Sequence, residues 1–313
     1  MEIRNFKQSK NNAEVIESGI WCSGIFKKFT QDFHYGGSTN LFRRELGLDI
    51  DKPILKLLGA SAESSTRGLY KNFFVELLKR IGSSADWQDI VKARLNHSDK
   101  IVCVDDDFMR LSPPQKYEAL AATDGLITNR RGIPLCIGAA DCAPVAIYDP
   151  KNKCAGLFHS GWRGTAGLIA VKGIGLMAEK YGSVPKDLMV SIGPAIDPGN
   201  FEVDGAVYSE FAKKYSGEEL KSVFVPSADG KHFLNIPLAI RMKLVESGIN
   251  KENIEMSAYS TFLSKNSGDA FYIFPSARRV ERDLVESGAK TKAEVRGTGI
   301  KYTDSSIFIV SLS

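Results

Sequence analysis

Residues 134–165 read PLCIGAADCAPVAIYDPKNKCAGLFHSGWRGT, and this stretch decides the fold class that the sequence predicts. It contains three short apolar runs of strand length, separated by turn residues: 134–140, 143–148 and 154–159. A helix is expected over 166–181, because apolar residues recur there at helical spacing and Gly182 can end it as a C-cap. Strands that are interleaved with such a helix predict an α/β protein.

The same rules predict further elements on both sides of this stretch. Helices are expected at 69–81, 204–215 and 237–247, and strands at 91–97, 101–104, 187–192 and 306–312. We find neither an internal repeat nor a linker, so we expect a single domain over residues 1–313. The predicted architecture is a mixed sheet with flanking helices and a metal site at the strand ends.

The composition is that of an ordinary globular protein. Of 313 residues, 43% are hydrophobic and 25% charged, and the net charge of +4 is spread along the chain. Nucleic-acid-binding proteins usually cluster their basic residues, so we expect no nucleic-acid partner. The first residues lack the apolar core of a signal peptide, and no apolar run is long enough to span a membrane. We therefore expect a cytoplasmic protein without a membrane partner, whose five cysteines stay reduced.

The sequence contains four histidines, and two of them lie where strands are predicted to end. His97 follows one strand, His159 ends another, and Cys142 lies between two more. The sheet holds side chains at such positions while loops leave them accessible. Two imidazoles and a thiolate suit zinc and leave a fourth position for water or substrate. Because the spacings match no zinc-finger motif, buried thiols and hydrogen-bonded histidines are the alternative.

Residues 161–165, Gly-Trp-Arg-Gly-Thr, form a second candidate site at the start of a helix. The glycines allow a ligand to approach the backbone, and free N–H groups at a helix start attract anions. Arg163 would add a bidentate contact to phosphate. The alternative is a tight strand-to-helix turn whose arginine pairs with a nearby carboxylate.

Several segments of the chain follow one another in the order found in the YfiH-like family. The strongest resemblance comes from five segments: 123–128, 140–144, 159–164, 192–196 and 201–203. The segments 35–38 and 276–279 also resemble the family's early Gly-Gly and late Ser-x-Arg-Arg motifs. This family was long labelled multicopper polyphenol oxidoreductases or laccases. Its characterised members are zinc-dependent purine nucleoside phosphorylases with adenosine deaminase activity.

The resemblance implies that the metal is Zn²⁺ and that its ligands are His97, Cys142 and His159. This chain departs from the family at two places. The first histidine usually follows Gln-Val, but here it follows Leu95 and Asn96. The early segment has Phe-His-Tyr at 33–35, where the family carries Thr-Arg before its glycines.

The resemblance also implies a substrate pair, a purine nucleoside and phosphate, and a monomeric enzyme. We expect the substrates to contact these residues: His34, Gly161, Trp162, Gly164 and Thr165. We expect Arg163 to act on phosphate. Asp124 or Asp141 would move a proton, and the alternative for Asp141 is a hydrogen bond to nearby backbone.

Three other functions compete with this one. A true laccase needs a blue-copper site and a separate histidine-rich cluster, and four histidines cannot supply both. Cu²⁺ would still compete for an N/S site in vitro and give phenol oxidation as a side activity. The chain would otherwise be a cell-wall precursor editing factor or a metal-bearing binding protein. The intact set of three ligands favours an enzyme.

Overall fold

The computed structural model describes residues 15–17, 20–26, 31–46, 64–265, 272–288 and 305–313. Among these residues, two six-stranded sheets pack face to face, and helices cover the outer face of each sheet. The predicted mixed α/β architecture is confirmed.

The first sheet carries the amino-terminal strands and the last strand of the chain. Its strands, in spatial order, are β1 (Val15–Glu17), β2 (Ile20–Cys22), β3 (Phe33–Ser38), β15 (Ser306–Leu312), β7 (Leu135–Ala139) and β4 (Val91–Lys92). Side chains alternate across β15 as a strand requires. Ile307 and Ile309 pack with the helix Ser64–Arg80, whereas Phe308 and Val310 pack into the core between the two sheets.

The second sheet contains the long central hairpin. Its strands, in spatial order, are β14 (Ile254–Met256), β10 (Met189–Ile192), β8 (Ala143–Asp149), β9 (Cys154–Ser160), β6 (Gly125–Thr128) and β5 (Ile101–Cys103). Both faces are covered, so β8 and β9 are buried along their whole length. This explains why their sequences read as continuous apolar runs.

Ten α-helices, five short 3-10 helices and a small third sheet complete the described part of the chain. The helices are α1 (Asn40–Glu45), α2 (Ser64–Arg80), α3 (Asp106–Arg110), α4 (Pro113–Ala119), α5 (Trp162–Ala166), α6 (Ile169–Tyr181), α7 (Gly205–Phe211), α8 (Gly217–Val223), α9 (Ile236–Glu246) and α10 (Ala277–Glu286). The third sheet has the order β11 (Glu202–Val203), β13 (His232–Leu234) and β12 (Phe224–Pro226). None of the helices described combines the length and the apolar character that crossing a bilayer requires.

The helix predicted over 166–181 corresponds to α6, which begins three residues later than predicted and is preceded by the separate short helix α5. α5 ends at Ala166 and α6 begins at Ile169, with Leu168 between them in the left-handed region at φ 62°. Hydrophobic periodicity does not report one residue of unusual backbone conformation, so the sequence pattern missed the break. As a result α5 is a separate short helix that directly follows β9.

Candidate metal centre

The hairpin of β8 and β9 brings Cys142 close to His159. In its register Ala143 pairs with Ser160 and Pro144 with His159. The same antiparallel register, continued by one residue, sets Cys142 opposite Gly161. The two ligand-bearing positions, 17 residues apart in sequence, therefore lie side by side at one end of the hairpin.

Asp124 joins His97 to His159. It directly precedes β6, and its backbone carbonyl accepts the His159 N–H at 2.7 Å. Its buried carboxylate accepts His159 Nδ1 at 2.8 Å, the backbone N–H groups of Asn96 and His97 at 3.0 Å, and that of Ser98 at 2.9 Å. The carboxylate therefore orients the His159 ring and holds the loop that carries His97.

The three predicted ligands meet at one point. The side-chain donor atoms of His97, Cys142 and His159 lie within 4.8 Å of one another, and the two imidazole centroids are 5.1 Å apart. His159 is buried, Cys142 half-buried and His97 exposed, so the cluster opens to solvent on one side. Two nitrogens and one sulfur at this spacing fit a tetrahedral ion with one open position.

Without a metal, the electrostatics of the cluster favour a Cys142 thiolate paired with a protonated His159 imidazole, which must release its proton to bind an ion. Burial opposes charge on Cys142, yet the adjacent His159 lowers the pKa of the thiol to about 6. Burial also opposes charge on His159, but the Cys142 thiolate and Asp124 raise the pKa of the imidazole to about 9. Despite its burial, Asp124 has a pKa of about 2, because His159 and the backbone N–H groups donate to it. A thiolate is the form of cysteine that binds metal.

Two non-glycine residues at this centre have left-handed backbone. They are His97 at φ 56° and Asp141, which directly precedes Cys142, at φ 78°. Such conformations cost free energy and persist where the surroundings enforce them. For Asp141 the buried carboxylate accepts Thr261 Oγ1 at 2.6 Å and the Arg278 N–H at 2.8 Å. These bonds connect the turn before Cys142 to Thr261 and to the start of α10.

The segment 161–165 presents only part of its polar groups outward. The Arg163 guanidinium is exposed and lies 4.2 Å from the centroid of the half-buried Trp162 ring. The Thr165 hydroxyl is buried and donates to the Gly161 carbonyl at 2.9 Å. Gly164 is also buried. Arg163 and Trp162 are thus accessible to a substrate, and the Thr165 side chain stabilises the turn.

The structure does not bring His34 to this cluster. His34 pairs with Ser311 in the sheet, whereas Ala139, close to Cys142 in sequence, pairs with Ser306 at the other end of β15. Five residues of strand separate these two positions, or about 17 Å. His34 is buried, bonds through Nε2 to Ser313 Oγ, and has its pKa lowered by burial.

Position 161 has no room for a side chain, so it requires glycine. A Cβ atom at this position would lie 2.7 Å from Cys142 Sγ and 3.1 Å from His97 Cδ2. We expect Gly161→Ala to displace both side chains and to weaken zinc binding by at least about tenfold, in the range seen when groups around a metal are disturbed. A zinc-competition titration with a chromogenic chelator measures this effect.

Gly175→Ala is the matched control. Gly175 lies in α6, and a Cβ atom there would meet no atom within 4 Å. We expect the alanine to leave zinc affinity unchanged and to stabilise the helix by about 0.5–1 kcal/mol. Equal zinc affinities in the two variants would show that Gly161 is not needed for close packing at the centre.

The profile of one family matches the chain from residue 74 to residue 284, a segment that includes all three candidate ligands. That family is described as multi-copper polyphenol oxidoreductase laccase. The chain belongs to this family. The resemblance to YfiH-like proteins seen in the sequence motifs is thereby confirmed.

Family members with named activities match about two thirds of the chain. A purine nucleoside phosphorylase of Bacteroides thetaiotaomicron is 31% identical over 200 residues, which cover 64% of this chain and 71% of that protein. Adenosine deaminase RL5, from an unknown prokaryotic organism, is 31% identical over 196 residues, covering 62% and 71%.

The fold matches two solved structures over nearly their whole length. The YfiH protein of Bacillus licheniformis has a TM-score of 0.73 and 25% identity, and the match covers 96% of this chain and 99% of that one. YlmD from Geobacillus stearothermophilus has a TM-score of 0.69 and 23% identity, covering 96% and 98%.

The sequence analysis did not identify the residues that support the metal centre from segments far away in the chain. Thr261 and Arg278 bind Asp141 from segments more than a hundred positions further along the chain. Arg279 is buried and donates to the carbonyls of Thr261, Phe262 and Phe274. The Ser-Ala-Arg-Arg motif was the only available signal, and it carried no indication of these partners.

Proposed function

We propose that this protein is a zinc-dependent purine nucleoside phosphorylase. The observation that carries the proposal is the open cluster of His97, Cys142 and His159, with the exposed Arg163 two residues after Gly161, which packs against two of the ligands. Family members about 30% identical to this chain bear that name, among them proteins of Bacteroides thetaiotaomicron and Rickettsia prowazekii. The observed spacing and the chemistry of the donor set suit zinc.

In this proposal His97, Cys142 and His159 hold the ion, which supplies Lewis-acid polarisation of a substrate atom when bound. Arg163 binds phosphate, because an exposed, planar guanidinium can donate two parallel hydrogen bonds to it. Trp162, half-buried beneath this guanidinium, provides a flat surface for the substrate. Gly161 and Gly164 keep the backbone of the turn close to the ligands.

The reaction replaces one bond at the anomeric carbon by another. A phosphate oxygen forms a bond to the ribose carbon while the bond to the purine nitrogen breaks. The electron pair of that bond passes to the purine, which then takes up a proton. The products are ribose 1-phosphate and the free base.

We assign Asp124 and Asp141 to positioning instead of proton transfer. Each carboxylate already accepts several hydrogen bonds from the protein. Asp124 orients His159, and Asp141 fixes the turn before Cys142. The proposal also includes that the protein is a single-domain monomer and that it acts in the cytoplasm.

The proposed function predicts phosphate-dependent products. Zinc-loaded protein incubated with adenosine should yield adenine and ribose 1-phosphate only when phosphate is present, as measured by mass spectrometry. Arg163→Ala should raise the KM for phosphate by about tenfold or more, since charge-assisted hydrogen bonds of this kind are worth about 1.5–3 kcal/mol. Lys172→Ala, at an exposed salt bridge to Asp99, is the matched charge-removal control.

Deamination is the second candidate, because one relative is named an adenosine deaminase. If inosine formed at the same rate with and without phosphate, the activity would be assigned as deamination and not as phosphorolysis. If adenosine, inosine and guanosine all stayed intact, the nucleoside proposal would fall. The favoured functions would then be cell-wall precursor editing or metal-dependent binding without catalysis.

A further inference from the structure

A cavity of about 350 Å³ lies between α10 and the small third sheet. Its volume falls in the range of small-molecule sites. The cavity is lined by Gly199, Asn200, Glu202, Phe233, Phe262, Arg278, Glu281, Arg282, Val285 and Glu286. The helix contributes residues from successive turns of one face, and the sheet contributes the opposite wall.

The charged groups of the wall make this cavity unsuitable for an anion. Two arginines face three glutamates in the wall, and Lys231 Nζ, 3.4 Å from the Glu202 carboxylate, balances the third negative charge. The cations are also engaged: Arg278 pairs with Glu281 at 3.2 Å and donates to the Glu202 backbone carbonyl at 3.2 Å. Arg282 lies 4.8 Å from the centroid of the Phe262 ring and pairs with Asp283. Carboxylates are the dominant acceptors here.

The sheet wall combines an aromatic ring with a carboxylate. Glu202 and Phe233 are direct cross-strand partners of β11 and β13, so their side chains point to the same face. Phe233 is half-buried, and Glu202 is held by Ser227 Oγ at 2.8 Å and by Lys231 Nζ at 3.4 Å. A planar ring can therefore stack on Phe233 while an amino or hydroxyl donor reaches the Glu202 carboxylate.

We propose that this cavity binds an uncharged purine, either the free base or the nucleoside, at a site distinct from the metal. The cavity sets the shape and charge of the ligand, and the choice of a purine rests on the proposed function. Of the residues described, none belongs both to the cavity wall and to the three-ligand cluster. The two sites are linked through Arg278, whose N–H binds Asp141, the neighbour of Cys142.

Calorimetric titration of the zinc-loaded, full-length protein tests this proposal. Adenine is the probe, in phosphate-free buffer, and adenosine 5′-monophosphate is the charged comparison. Adenine should bind, and the monophosphate should bind at least tenfold more weakly. Phe233→Ala should weaken adenine binding by about tenfold or more, the effect of losing one stacking partner. Val285→Trp, which fills the cavity from α10, should abolish binding without removing a buried contact.

Tyr117→Ala, an exposed aromatic residue on α4, is the control and should bind adenine as the wild type does. Adenine binding that is unchanged in both cavity variants, or absent from the wild type, overturns the cavity proposal whatever the enzyme does with nucleosides. Adenine binding that is lost in Val285→Trp supports it, even in a protein that phosphorolyses no nucleoside. The failure of the cavity site and the failure of the proposed function are thus separate results.

Discussion

Cys142→Ala is expected to lose zinc and activity together. The thiolate is one of three donors within 4.8 Å of one another, and its removal leaves two imidazoles, one of them exposed. Disturbing groups that merely orient zinc ligands costs 10–100-fold in affinity, so deletion of a ligand should cost at least about a hundredfold. Zinc per protein chain, measured by atomic emission after dialysis, should fall from about one to near zero. Nucleoside turnover should fall by a similar or larger factor.

Cys103→Ala provides the matched control. Cys103 is also half-buried, but its thiol contacts Tyr181 Oη at 3.1 Å and takes no part in the cluster. This variant should keep its zinc and its activity. If Cys142→Ala retained one zinc ion per chain, the cluster would not be the metal site. If it lost zinc but processed nucleosides at the wild-type rate, the metal would not take part in the reaction.

Asp124→Asn is expected to have the second largest effect. The carboxylate of Asp124 accepts hydrogen bonds from the His159 ring and from three successive backbone N–H groups. An asparagine would place an amide NH₂ group against some of these donors. We therefore expect a loss of about 1–3 kcal/mol in the free energy of unfolding. Zinc affinity should fall by about 10–100-fold, because both the His159 ring and the His97 loop lose their anchor.

Asp149→Asn separates the loss of stability from the loss of metal binding. Asp149 is equally buried and accepts the N–H groups of Lys151 and Asn152, but it lies at the far end of the β8–β9 hairpin. It should lower the melting temperature by a similar amount and leave zinc affinity unchanged. If the two variants bound zinc equally well, Asp124 would support the fold alone.

The descriptive name of the family does not match the ligands available in this chain. The whole sequence contains four histidines, and His34 lies at the opposite end of its sheet from the cluster. A multicopper centre needs a blue-copper site and a further set of histidines. The described residues offer one group of three such ligands, and it suits a single ion.

Much of the fold was predictable because both faces of the central strands are buried. The runs at 143–148 and 154–159 predicted β8 and β9 to within a residue, and the strand at 306–312 was predicted with the bounds observed. The helix predicted at 237–247 is α9, shifted by one residue, with Asn235 as its side-chain cap. These signals are local, since they depend on periodicity and on capping residues.

Strand order and pairing were not predictable in the same way. The last strand, β15, pairs with β3 and β7, which lie far from it in sequence. Periodicity specifies which face of a strand is buried, but it does not specify the neighbouring strand. The pairing of β3 with β15 also fixes the position of His34. The sequence alone could not show that this residue lies far from the metal cluster.

By itself, the sequence determined the α/β class and the central strands. The three candidate ligands were implied by the resemblance to the YfiH-like family, because four histidines and five cysteines leave other combinations open. Only the tertiary structure showed that Asp124 joins His97 to His159, that Asp141 is held by Thr261 and Arg278, and that Thr165 faces inward. Such contacts join segments distant along the chain, and they exist only once strand pairing and helix packing have brought those segments together.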